Sequence, residues 1–264
     1  MPPIRAALLL AAALLAGCAT HPKQPPSETR HDGITPAQER PGLGTSWGEQ
    51  RDSWAEPAPF VRASATRPGA QARIYYNDRD GANAMLAFLG GDPKRCDGLQ
   101  PVAGSLLRLG LRNGNGEWLE CNEARGRRIA NADRGTRYEV VLKNDARRAL
   151  EIVVSVDGLD VMDGKAASLQ KRGYVLAPFE TLAVEGFRTG AGTVAAFRFG
   201  RMFDSYTHRR HGSTENAGVV GVAVFEEKRR TTATDTPAPG EHAWRATAAR
   251  PSGSHRDFSA PPEA

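Results

Sequence analysis

A two-residue alternation of apolar and polar side chains runs through residues 136–227, and it constrains the fold more than any other feature. Tyr138, Val140 and Leu142 fall on one face, with Arg137, Glu139 and Lys143 on the other. Leu150, Ile152, Val154 and Val156 then alternate with Glu151, Ser155 and Asp157. Successive side chains of a strand point to opposite faces, so this is the pattern of half-buried antiparallel strands. Lys143-Asn144-Asp145-Ala146-Arg147 separates the two runs with residues that tolerate positive φ, which predicts a hairpin. Further strands are expected over 173–177, 181–187, 194–199 and 217–226. The last is apolar on both faces through Val219, Val220, Val222, Val224 and Phe225, which places it inside the fold. Strands this short, with turn signals between them, predict a mainly β chain, an antiparallel β-sandwich with at most one short helix.

Residues 71–131 are expected to add to the same fold. A strand is read over 72–76, then a turn at Asn77-Asp78-Arg79-Asp80-Gly81. The short helix is placed at 82–89, where Met85, Leu86 and Leu89 share a face. A hairpin is expected over 106–122 around Asn113-Gly114-Asn115-Gly116.

The N-terminus carries an address. Residues 6–16 are an unbroken run of Ala and Leu after Arg5, too short to span a bilayer but of the length of a secretory apolar region. The run ends in Leu15-Ala16-Gly17-Cys18, which resembles a bacterial lipobox. The resemblance implies removal of residues 1–17 and lipid attachment at Cys18, where the sulfur is the nucleophile. Ala19 follows, and an Asp there would signal retention in the inner membrane. The expected location is therefore the outer membrane, facing the periplasm. Lipidation of Cys18 leaves Cys96 and Cys121, either as a disulfide in an oxidising compartment or as two separate buried thiols.

Proline marks the expected boundaries: eight of the 18 lie in 18–70 and five in 228–264, against three in 71–227. Pro-rich, weakly apolar segments cannot bury enough surface to offset ordering entropy. Residues 18–70 are thus read as a flexible tether, 71–227 as the β-sandwich domain and 228–264 as a disordered tail. One apolar island, 42–61, interrupts the tether with Trp47, Trp54 and Phe60. It is expected to dock on the domain, with a partner-binding peptide as the other reading.

Six segments resemble a family of uncharacterised exported bacterial lipoproteins with a C-terminal β-sandwich-like domain. They are Gly42-Leu43-Gly44-Thr45-Ser46-Trp47-Gly48-Glu49, Ser155-Val156-Asp157-Gly158-Leu159-Asp160-Val161, Gly173-Tyr174-Val175-Leu176, Ala195-Ala196-Phe197-Arg198-Phe199, Asp204-Ser205-Tyr206 and Gly218-Val219-Val220-Gly221-Val222-Ala223-Val224-Phe225. The likeness spans about Gly42 to Glu226 and brings no activity and no catalytic residue with it.

Two clusters hold candidate ligands. Asp157, Asp160 and Asp163, three apart and interleaved with Gly158 and Gly164, offer oxygens to a hard cation or make strand-ending turns. Asp204, His208 and His211 have the types for zinc or copper, while Arg201, Arg209 and Arg210 beside them suit an anion or a partner. A solvated connector explains the same residues. No His-Glu-x-x-His, Walker loop or dinucleotide fingerprint occurs. The net charge of +5 is thinly spread, which argues against nucleic acid as a partner.

The expected function is a lipid-anchored envelope module, non-enzymatic, that presents its sandwich to an envelope protein or a cell-wall polymer, with no cofactor. The alternative is a periplasmic protein for a small ligand or metal, or an enzyme, built on the two clusters.

Overall fold

The computed structural model describes residues 42–228, 242–247 and 258–262. The expected signal peptide and lipidated Cys18 lie outside the described residues. In chain order the elements are β1 (Leu43–Asp52), β2 (Trp54–Pro59), β3 (Ala70–Asn77), α1 (Arg79–Leu89), β4 (Lys94–Arg95), β5 (Gln100–Pro101), β6 (Leu107–Asn113), β7 (Cys121–Ala124) and β8 (Arg127–Asn131). There follow β9 (Arg137–Asn144), β10 (Leu150–Val156), β11 (Leu159–Asp160), β12 (Tyr174–Leu176), β13 (Thr181–Val184), β14 (Gly186–Gly190) and β15 (Thr193–Arg201). A 3-10 turn at Met202–Asp204, α2 (Tyr206–His211), β16 (Val219–Glu226) and β17 (His242–Thr247) complete them.

The strands form two sheets packed face to face as a sandwich. The seven-stranded sheet runs β1-β15-β9-β6-β5, with β13 on β9 and β14 on β15. The ten-stranded sheet runs β2-β17-β12-β10-β16-β3-β8-β7-β4, with β11 on β10. Between them lies the main core, where Tyr138, Val140 and Leu142 face Ile152, Val154, Val220 and Val222. As its double-sided apolar pattern requires, β16 is paired on both edges, to β10 and to β3.

Several expectations about neighbours are corrected. The runs on either side of Asn144 do not form a hairpin: β9 belongs to the seven-stranded sheet and β10 to the ten-stranded one. Alternation says which face of a strand is buried, not which strand lies beside it. Asn144 turns this corner itself. Its side-chain oxygen accepts from Ala146 N, and its amide donates to the carbonyls of Arg148, Leu176 and Ala177. The hairpin expected over 106–122 closes only at its tip, with Asn113 N–H on Glu117 O and a single bridge from Arg112 to Trp118. The chain then crosses to the other sheet, where Cys121 pairs with Ala130.

The domain also begins earlier than residue 71. Strand β1 pairs antiparallel with β15 from Leu43↔Arg201 to Asp52↔Thr193, with a bulge between Trp47 and Gln50. Gly48 sits in that bulge, where a Cβ would lie 2.4 Å from the Ala196 carbonyl oxygen. Trp47 stacks on Phe187 with centroids 6.3 Å apart and packs against Tyr206 at 4.7 Å. The island docks, and does so as a sheet strand. Part of the expected tail is structured too, since β17 pairs with β2 and with β12. A second short helix, α2, takes the stretch read as a connector. Ser205 caps it by accepting from His208 N, and Gly212 ends it at φ +67°.

A smaller apolar cluster covers part of the outer face of the ten-stranded sheet: Phe60, Val153, Val175, Ala223 and Phe225. Beside it Glu151, fully buried, is clasped by Arg62 and Arg172 through four hydrogen bonds of 2.7–2.9 Å. Cys96 and Cys121 form a disulfide.

Candidate functional site

The rest of that outer face is open. The outward side chains of β10, β16 and β3 there are Ser155 and Gly221 in the middle, next to Ala223 at the edge of the apolar cluster, with Gln71, Arg73 and Tyr75 alongside. The small residues leave a groove of about 800 Å³ instead of a filled layer. One wall is the loop Ala167-Ser168-Leu169, and the other is the start of β8, which carries Arg127. The floor is tight: a Cβ on Gly221 would meet the Ser155 hydroxyl oxygen at 2.7 Å.

The groove is polar and positively charged. Gln71 and Arg73 are exposed on β3, and the Arg127 guanidinium stands 5.8 Å from the Tyr75 ring centroid. Arg128 is neutralised by Glu123 at 3.0 Å and also donates to the Pro101 carbonyl. Arg73 and Arg127 are ion-paired to no carboxylate among the described residues. An aromatic ring, two unneutralised guanidiniums and an amide along an open trough suit an elongated polar anion.

The three aspartates of the first sequence cluster have separate roles. Asp157 and Gly158, at φ +53° and +79°, are the two central residues of the tight turn from β10 to β11. Asp-Gly favours such a turn because both positions need positive φ. The Asp157 carboxylate is buried, accepting from Tyr76 Oη at 2.6 Å, Gly218 N at 2.8 Å and Thr45 N at 2.6 Å. Thr45 Oγ1 lies 2.7 Å from Tyr76 Oη and 2.5 Å from Tyr138 Oη, so a chain of hydroxyls joins both sheets to this one acid. Burial pushes the Asp157 carboxyl up to about 6, against the pull of those donors. Asp160 is buried with Oδ1 on Met162 N and Oδ2 without a hydrogen-bond partner among the described residues, and burial pushes it up to about 7. Asp163 is half-buried and pairs with Lys171 at 2.6 Å.

The second cluster is likewise spent on the fold. Asp204 pairs with Arg201 at 2.7 Å. The His208 ring meets Phe203 edge-on at 4.7 Å, and His211 Nε2 lies 2.9 Å from the Gly164 carbonyl oxygen. Arg209 and Arg210 are exposed on α2, whereas Arg201 is held on Asp204. Among the described residues no three His, Cys, Asp or Glu side chains are grouped to hold a metal ion.

Gly44-Thr45-Ser46-Trp47-Gly48 has the spacing of a hydrolase nucleophile elbow, a match that sequence reasoning passed over. That chemistry needs a sharp strand-to-helix turn, but Ser46 lies inside β1 and its hydroxyl donates to the Asp204 carbonyl. No histidine hydrogen-bonds it among the described residues.

Sequence reasoning also missed Gln71, Arg73, Tyr75 and Arg127. The signal was present in the alternation of β3, where Gln71, Arg73 and Tyr75 share one face, but such a face is ordinarily just the wet one. The chain matches no protein-family model, no curated protein and no solved structure, so the groove's chemistry stands on its own residues.

Proposed function

We propose that the protein is a binding module for an acidic polysaccharide, which lies along the groove on the outer face of the ten-stranded sheet. The observation that carries this reading is the open trough of about 800 Å³ in which Arg73 and Arg127 face solvent without a carboxylate. A saccharide ring stacks on Tyr75, its carboxylates pair with the two guanidiniums, and Gln71 and Ser155 hydrogen-bond hydroxyls. Rigid strands supply the floor, and the 167–169 loop and the start of β8 supply the walls. The lipobox-like Leu15-Ala16-Gly17-Cys18 supports a membrane-tethered form of the module, with the polymer in the cell envelope.

The test is a titration of the purified protein with polygalacturonate oligomers of defined length. Binding is expected to tighten with length until the groove is filled, and to weaken with added salt. Arg73→Gln with Arg127→Gln is expected to weaken it at least tenfold while leaving the unfolding midpoint unchanged, since both side chains are exposed. Equal affinity of wild type and double variant removes the groove from the account.

A further inference from the structure

A second charged feature lies on the opposite outer face, on the seven-stranded sheet. Arg137 on β9 and Arg198 on β15 stand directly opposite each other in register. Both alternate with core residues, Tyr138 and Phe197, so both point outward on the same face. Like charges in that relation repel, and a sheet carries them only where something else offsets the repulsion. Arg51 of β1 joins them, and the three guanidiniums line a dish of about 350 Å³ with Glu49, Asn113 and Thr136.

The carboxylates nearby do not neutralise the set. Glu49 takes Arg198 at 2.8 Å, and Glu185 takes Arg51 at 3.3 Å. Glu139, next on the outward face of β9, is drawn away to Arg112 at 2.6 Å. Arg137 is left without an ion pair among the described residues, its Nη2 donating only to the Gly114 carbonyl. It lies flat over the Asn113–Gly116 turn, where a Cβ on Gly114 would come within 2.5 Å of its Nε. Arg137 Nη1 and Arg51 Nε are covered and find no acceptor among the described residues. Covered cationic N–H groups without acceptors are rare in native proteins, and a bound ion is one of the explanations for them. The dish already favours negative charge: the hydrogen bond from Arg198, with help from Arg137, holds the Glu49 carboxyl below the usual range.

We propose that this dish is an oxyanion site, in which a sulfate, phosphate or carboxylate group sits among Arg51, Arg137 and Arg198 and accepts from the donors the protein leaves unused. A small rotation of these long side chains turns the covered N–H groups onto the anion. Guanidiniums suit this task because their paired N–H bonds match two oxygens at once. The site is independent of the groove, being on the other sheet and using different residues.

The experiment is thermal unfolding and isothermal titration of the whole protein with sodium sulfate, sodium phosphate or galacturonate, each at constant ionic strength against sodium chloride. At least one oxyanion is expected to bind and raise the unfolding midpoint where chloride does not, and the strongest of the three names the group the site is built for. Arg137→Gln is expected to weaken that binding at least tenfold, and so is Arg51→Gln, whose side chain is 38% exposed and which guards against a folding defect in the first variant. Lys94→Gln, an exposed position that lines neither the groove nor the dish, is expected to leave it unchanged. The proposal is overturned if all three anions behave as chloride does, if neither dish variant weakens binding, or if Lys94→Gln weakens it as much as they do.

Discussion

Removing the negative charge at Glu151 is expected to be among the most damaging single changes on the outer face of the ten-stranded sheet. Glu151 is fully buried, and its partners Arg62 and Arg172 are only 5% and 19% exposed. The carboxylate accepts four guanidinium hydrogen bonds and a fifth, at 2.8 Å, from Gly173 N. Arg62 in turn donates to the carbonyls of Ala65, Leu169 and Lys171 and lies 3.5 Å over the Phe225 ring. The triad therefore ties β10, β16, the 60–65 segment and the 165–173 loop at one point. Breaking a buried pair by deleting one partner costs about 3–5 kcal/mol, because the remaining charge is left desolvated. Here two cations are stranded, so Glu151→Gln is expected at the upper end, about 4–5 kcal/mol, a large share of a typical domain's roughly 5–15 kcal/mol. Urea denaturation followed by tryptophan fluorescence measures it. The companion variant, Arg62→Met with Glu151→Leu and Arg172→Met, removes all three charges and is expected to recover to within about 2 kcal/mol of wild type, since a packed apolar set replaces a buried ionic one at little cost. A loss below about 1 kcal/mol for Glu151→Gln refutes the reasoning, and would mean that water reaches the carboxylate in solution.

Other outcomes follow from the core and the buried acids. Asp157 and Asp160 titrate near 6 and 7 in the folded protein, against 3.8 for an ordinary aspartate, so the folded state holds their protons more tightly than the unfolded chain does. Their contribution to stability is full below about pH 4 and is lost as pH rises to 6 and 7, by about 3 and about 4 kcal/mol if each shift is taken whole. Urea midpoints at pH 5, 6, 7 and 8 are thus expected to fall with pH, and Asp160→Asn to flatten the upper part of that slope. Val222 faces the core from the central strand β16, so Val222→Asp should cost several kcal/mol and Val222→Ala roughly 1–3 kcal/mol, read from the same denaturation curves. Cys18→Ser is expected to release the protein from membranes, because acyl chains supply about 0.8 kcal/mol per buried CH₂; retention after a high-salt wash would show another anchor.

The faces of the strands were legible, and their neighbours were not. Tyr138, Val140 and Leu142, and likewise Leu150, Ile152, Val154 and Val156, all point into the core as their two-residue period requires. The same period is silent on pairing, so the corner at Asn144 read as a hairpin although its side chain steers the chain from one sheet to the other. Composition misled where strands are short: Ala243 and Trp244 are buried in β17 despite the proline-rich stretch around them. Chemistry-bearing sites were the least legible. Arg62, Glu151 and Arg172 are far apart in sequence, and only the fold makes them a unit. The aspartates and histidines that stood out by spacing serve the turns and packing instead, as Asp157 does at the β10–β11 turn.

The pairing of β2 with β17 also sets an order of events. Trp54 meets Thr247 and Pro59 meets His242, so β2 finds this neighbour only after the 182 residues between Pro59 and His242 have been made. Strand β1 waits almost as long for β15. Contacts this distant in sequence make folding slow, because loop closure must precede their reward. Until β17 arrives, the β2 edge that it will cover has no strand beside it, and the unpaired N–H and C=O groups there are a template for another chain. Pro57 and Pro59 lie in that strand, and neither donates a backbone hydrogen bond. They act as a guard on the nascent chain, blunting a sticky edge during the interval before its partner is made.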